Sequence, residues 1–123
     1  MDYVQIIHII TEETRFHLLQ LLLKHHYCGK ALSKKLGISE PAISQQIRIL
    51  KQYHLITGVK IGYQTHYRVN REIISTALSS FSKQIMLYPM LPDLVNDADC
   101  TCEFVAECLK RDAKLLEQQK RDQ

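Results

Sequence analysis

The stretch from Leu32 to Leu50 constrains this chain more than any other: Leu32-Ser33-Lys34-Lys35-Leu36-Gly37-Ile38-Ser39-Glu40-Pro41-Ala42-Ile43-Ser44-Gln45-Gln46-Ile47-Arg48-Ile49-Leu50. Lys30 to Leu36 reads as a helix of two turns or less, with Ala31, Leu32 and Leu36 apolar. Gly37 closes it, because glycine takes the left-handed backbone of a helix terminus without steric cost. Ser39 then offers a side-chain cap for a second helix, and Pro41 falls in the first turn, where its missing N–H does no harm. Ile43, Ile47 and Leu50 recur at helical spacing and make one buried stripe. Two short helices joined by Gly37-Ile38-Ser39 constitute a helix-turn-helix.

The flanking segments extend the pattern. Tyr3 to Ile10 keeps helical spacing through Val4, Ile7 and Ile10, or through Ile6 and Ile10. A second helix is expected to be capped by Thr11, to start with Glu12 and Glu13 at the positive end of its dipole, to bury Phe16, Leu19 and Leu23, and to stop near His26. After the helix-turn-helix, Leu55–Lys60 and Thr65–Val69 favour strands. Ile61-Gly62-Tyr63-Gln64 separates them, and Gly62 is free to take a positive φ; this predicts a two-stranded hairpin, or wing. Arg71 to Tyr88 returns to helical spacing with Ile74, Leu78, Phe81 and Ile85, and Pro89 and Pro92 break the chain. The last segment spaces Val95, Ala98, Cys102, Val105, Leu109, Asp112 and Leu116 by threes and fours, the seam of a helix seeking a partner helix. Its end, from Lys114, is expected to fray. The resulting fold class is mainly α with a small β-hairpin: a winged helix-turn-helix with flanking N- and C-terminal dimerisation helices. The expected boundaries are 1–88 for DNA binding and dimerisation and 89–123 for a C-terminal helical extension bearing cysteines.

Length and composition bound the rest. At 123 residues and 46% apolar content the chain can fill one modest core, and no apolar run approaches the length of a membrane span. The start, Met1-Asp2-Tyr3-Val4-Gln5, lacks the basic and apolar blocks of an export signal, so a cytoplasmic location with reduced thiols is expected. The formal charge is only +3, but it is unevenly spread. Between Gly29 and Arg71 eight Lys or Arg face Glu40 alone, a net of +7; from Asp93 onward five bases face eight acids, a net of −3. The middle of the chain therefore seeks phosphate and the end repels it.

On a helix that starts after Ser39 and buries Ile43, Ile47 and Leu50, a turn of about 100° per residue puts Pro41, Gln45, Arg48 and Gln52 on the outer side with Ser44 at its flank. These residue types suit base reading. Glutamine can bond adenine through two atoms, serine can donate or accept, and arginine can reach guanine or phosphate. Gln46 is included with this set. Ser39 and the free amides at the helix start can grip a phosphate. Lys60, Tyr63, His66 and Arg68 on the hairpin would lie along the adjacent DNA backbone or minor groove.

Glu13-Thr14-Arg15-Phe16-His17-Leu18-Leu19, the helix-turn-helix quoted above, Leu55-Ile56, Gly62 and Tyr67-Arg68-Val69 together resemble the arsenic-repressor (ArsR/SmtB) family of bacterial regulators. The Ser-x-Pro-Ala-Ile-Ser-Gln run is the most specific part, and the resemblance covers about Thr11 to Tyr88. It implies a homodimeric repressor, joined through its first and last helices, whose reading helices enter successive major grooves of a palindromic operator in double-stranded DNA. The sequence also departs from the family. The Cys-x-Cys metal motif before the turn is Cys28-Gly29-Lys30 here, the helix after the wing has no His, and Val59 and Tyr63 stand where basic wing residues are frequent.

Cys100, Cys102 and Cys108 could bind a soft inducer such as arsenite, cadmium or zinc, or act as a redox or persulfide switch; equally, Cys102 could fill the apolar seam. On one continuous helix Cys100 and Cys102 would point about 200° apart and Cys108 would stand about 12 Å from Cys100, so a shared site needs an unwound start or ligands from another subunit. No cofactor is required by this reading, and no membrane partner is expected. A protein-interaction module that kept the winged shape is the alternative. A thiol enzyme or metal carrier is disfavoured, because there is no Cys-x-x-Cys, no local base beside a thiol and no glycine-rich phosphate loop.

Overall fold

A computed structural model describes residues 2–95 and 100–122. Its elements run α1 (Tyr3–Ile10), α2 (Glu13–Lys24), α3 (Gly29–Leu36), α4 (Glu40–Gln52), β1 (Ile56–Ile61), β2 (Gln64–Val69), α5 (Arg71–Met86) and α6 (Val105–Arg121). Contacts divide the chain into two units, one ending at Tyr88 and one beginning at Pro89.

The first unit is built around a single apolar cluster. Leu18 of α2, Leu32 of α3, Leu50 of α4 and Leu55 just before β1 are completely buried, and Ile43 and Ile47 join them from α4. Alpha-helix α1 contributes Ile6, Ile9 and Ile10, and α5 contributes Ala77. The turn between α3 and α4 follows from its residues. Gly37 takes φ +67°, and the amides of Gly37 and Ile38 both return to the carbonyl of Ser33. The Ser33 hydroxyl in turn donates to the Ile38 carbonyl. Ser39 Oγ accepts from the Ala42 amide at 3.2 Å and so starts α4.

Several sequence expectations are corrected at the level of which face is buried. In α1 the inward set is Ile6, Ile9 and Ile10, while Val4 is exposed. In α2 it is Leu18, Leu19 and Leu22, while Phe16 and Leu23 are about half exposed. Leu18 to Leu23 is apolar except for Gln20, so periodicity alone could not choose between neighbouring faces; packing chose. Thr11 does not cap α2. Its hydroxyl donates back to the Ile7 carbonyl at 2.7 Å, and Glu12 is the cap, accepting from the amides of Thr14 and Arg15.

The wing is an antiparallel pair in the register Ile56↔Val69, Gly58↔Tyr67 and Lys60↔Thr65, closed by Gly62-Tyr63. Gly62 alone of these two has positive φ, +63°, the requirement of a type II′ hairpin turn. Its base is clasped by Asn70, whose amide donates to the Leu55 carbonyl at 2.8 Å and whose side chain donates to the His54 carbonyl at 3.3 Å.

In the second unit α6 begins only at Val105, so Val95 and Cys102 are not on the helix that carries Leu109 and Leu116. Ala98 of the expected seam lies outside the described residues. The helix persists to Arg121 rather than ending near Lys114, and α5 ends at Met86, two residues before the expected Tyr88.

The Glu12 cap has a pH signature. Its carboxyl is held below the usual value of 4.5, chiefly by the Arg15 amide, with the Thr14 amide and the Arg15 guanidinium adding to the effect against some desolvation. A depressed folded value stabilises the fold above pH 4.5, and the contribution is lost as pH falls from there through the folded value. Replacing Glu12 with Ala is expected to cost about 1 kcal/mol at neutral pH, a typical cap value. The difference from the parent should shrink in acid, as read by urea unfolding between pH 7 and 3.

Candidate nucleic-acid interface

Because Ile43, Ile47 and Leu50 are buried, the rest of α4 is turned outward. Ser39, Pro41, Ser44, Gln45, Arg48 and Gln52 are all exposed. The side chains of Ser44, Gln45, Arg48 and Gln52 make no hydrogen bond or ion pair to any described residue. Four uncommitted polar side chains on one face can exchange water for base edges or phosphates without breaking an internal contact. Beside this face a groove forms where the start of α3, α4 and the wing converge, lined by Gly29, Lys30, Glu40, Ser44, Gln64 and Thr65.

Gln46 is placed differently from its expected companions. It is half-buried, and its Oε1 accepts from Arg15 Nη1 at 3.1 Å. Arg15 also donates from Nε to the Ile9 carbonyl at 2.7 Å and stands 3.7 Å from Glu12. One largely buried guanidinium thus joins the end of α1, the start of α2 and the inner flank of α4. Sequence reasoning gave Arg15 no role. The available signal was its position in the first turn of α2, three residues after an acid.

The wing residues separate into two sides. Cross-strand partners share a face, so Lys60, Thr65, Gly58 and Tyr67 lie on the side that carries the buried Ile56. Arg68, His66, Val59 and Ile61 lie on the opposite side. Lys60 and Arg68 are both exposed, yet they face opposite ways. His66 is half-buried, with Nδ1 hydrogen-bonded to the His26 carbonyl and its backbone bridged to Cys28, so its ring is engaged with the α2–α3 connection. Tyr63, at the tip, is fully exposed. Burial first, and the nearby Cys28 second, push the Tyr67 phenol above its usual value.

Cys100 and Cys102 precede α6, and Cys108 lies in its second turn; Cys102 Sγ accepts from the Phe104 amide at 3.4 Å. Among the described residues no group of three or more His, Cys, Asp or Glu side chains comes together to hold a metal ion.

With this geometry in view, comparison with known proteins is informative. Residues 12–57 match the family described as bacterial regulatory protein, arsR family. This segment is similar to the helix-turn-helix of that family. Solved structures extend the likeness beyond that segment. An ArsR-like transcriptional regulator from Rhodococcus sp. RHA1 superposes with a TM-score of 0.63 at 20% identity, covering 70% of this chain and 81% of the other. A homodimeric winged helix-turn-helix DNA-binding domain from Mycobacterium bovis gives 0.55 at 16% identity, over 74% and 89%. The AntR antimony-specific transcriptional repressor gives 0.52 at 20% identity, over 68% and 78%. At these identities the structures establish the winged helix-turn-helix fold. No curated protein matches the chain in sequence. Among the described residues no helix is long and apolar enough to cross a membrane.

On α4 Gln45 lies on the side opposite the buried stripe and is exposed. Gln45→Ala is expected to lower operator affinity by about 1–3 kcal/mol and to relax base preference at one position in each half-site. Competition binding against singly substituted duplexes checks this; undiminished discrimination by the folded variant would remove Gln45 from base reading.

Proposed function

We propose that the chain acts in the cytoplasm as a homodimeric, sequence-specific DNA-binding transcription regulator of the ArsR type, a repressor rather than an enzyme, on a palindromic operator. The observation that carries this reading is the uncommitted row Ser44, Gln45, Arg48 and Gln52 beside a wing, in the chain segment with a net charge of +7. Pro41 and Ser39 set the start of the reading helix, and Lys60 is the wing cation on the α4 side. Arg68 and His66 face away and contact DNA only if the backbone curves around the wing.

The dimer reading rests on α5. Ala77 faces the core and Ile73 and Ile74 pack against it, whereas Leu78, Phe81 and Ile85 of the same helix are 40–59% exposed. Large apolar side chains in a row on one face mark an association surface, and the M. bovis relative of this fold is a homodimer. Two copies would present two reading helices to half-sites about one helical turn apart.

A soft inducer, arsenite, cadmium or zinc, or thiol oxidation, is the release signal that Cys100, Cys102 and Cys108 suit chemically. Cys100 and Cys102 precede α6, so these two thiols are not held on opposite sides of one helix. Support also comes from AntR, which shares the fold and is antimony-specific.

Selection of bound duplexes from a random pool, with and without arsenite, tests the reading. An inverted repeat is expected to emerge, and pools without any consensus would refute it. Leu78→Glu with Phe81→Glu should yield a folded monomer by light scattering and lose operator binding. Ile74 is unsuitable for this test because it packs against the core. A parent protein that is monomeric at micromolar concentration with full operator affinity would contradict the dimer.

A further inference from the structure

Lys51, in the last turn of α4, stands out among the cations of the positive segment. Its Nζ lies 5.2 Å from the centroid of the Tyr67 ring, within the range of a cation–π interaction. Tyr67 pairs across the ribbon with Gly58. A methyl group placed on Gly58 would stand 3.5 Å from Lys51 Nζ, 3.5 Å from Tyr67 Cε1 and 3.1 Å from Thr65 Cγ2. Gly58 thus lies directly beside the ammonium group and the ring, where a side chain would press on Thr65.

We propose that Lys51 is a positioning residue that pins the wing to the reading helix through the face of Tyr67 over Gly58, and is not a phosphate contact. The α4 helix is fixed by its buried stripe, but β1, which carries Lys60, is exposed beyond Ile56, whereas β2 is half-buried at Thr65, His66, Tyr67 and Val69. Asn70 clasps only the base of the ribbon. Farther out, His66 holds the opposite side of the wing to the α2–α3 connection, and the Lys51–Tyr67 contact joins α4 to the face that carries Lys60 and Thr65. The Lys51–Tyr67 contact sets the angle at which Lys60 is offered to DNA alongside Gln45 and Arg48. Lys35, whose Nζ is 5.7 Å from the centroid of Tyr27, makes a similar ring contact but joins α3 to the loop before it and so does not steer the wing.

Resting on the proposed DNA-binding role for its functional arm, the test compares the parent with Lys51→Met, which keeps the aliphatic stem and removes the charge. Hydrogen exchange of the free protein is read without DNA. Loss of an exposed cation–π contact should speed exchange of wing amides between Gly58 and Tyr67 by about two- to fivefold, with those of α3 and α4 unchanged. On a selected operator, affinity should fall by no more than about fivefold per half-site while the slope of log affinity against log salt keeps its value. A slope shallower by about 0.9 per subunit would make Lys51 a phosphate contact and overturn the proposal. Unchanged wing exchange would overturn it as well. If the parent itself bound no DNA, that failure would fall on the proposed function, and the exchange arm would still decide whether Lys51 pins the wing.

Discussion

Burial of Ile43, Ile47 and Leu50 against Leu18, Leu32 and Leu55 decides how α4 is rotated, and everything on its outer face follows from that rotation. Each such side chain contributes about 1.5–3 kcal/mol when fully withdrawn from water. A turn of about 100° about the helix axis would exchange Ile47 for Arg48 at the core, so alternative rotations are disfavoured by both the lost burial and an unpaired buried cation. The backbone that carries the outer face is therefore fixed for the same reason that the domain is folded.

Polar contacts refine what the apolar cluster begins. Arg15 ties α1, α2 and α4 together through the Ile9 carbonyl, Glu12 and Gln46, and Gln5 donates to the Tyr53 hydroxyl at 2.9 Å, so α1 also reaches the end of α4. A dimer formed through α5, against which α1 packs, would then be in mechanical contact with the reading helix. That connection offers a route by which a change at the proposed dimer surface would reach DNA, because α1 touches both α5 and the C-terminal end of α4.

The helix-turn-helix was legible because its signals are local and chemical: a glycine that tolerates positive φ, a serine cap, an early proline and one unambiguous stripe. The hairpin was legible for the same reason, through Gly62 between β-favouring runs. Which faces of α1 and α2 turn inward was not, since Ile6 to Ile10 and Leu18 to Leu23 offer more apolar residues than the core accepts and only three-dimensional packing selects among them. At the site, the outward row on α4 followed from the stripe by geometry alone. Gln46 differs from that row through its bond to Arg15, 31 residues away, a pairing that local sequence does not signal. The opposite facing of Lys60 and Arg68 depends on register, and the seating of Lys51 on Tyr67 depends on a long-range contact, so neither is written in local sequence.

Binding of double-stranded DNA by the outer face of α4 and the adjoining wing would rest on an electrostatic grip on phosphates. The affinity of the purified chain for its selected operator, measured by fluorescence anisotropy from low to physiological salt, tests it most directly. The account predicts a linear fall of log affinity with log salt, with a slope of about −0.9 for each phosphate engaged and several phosphates engaged per dimer. Affinity that is independent of salt, or equal for the operator and a scrambled duplex across the whole range, would contradict it.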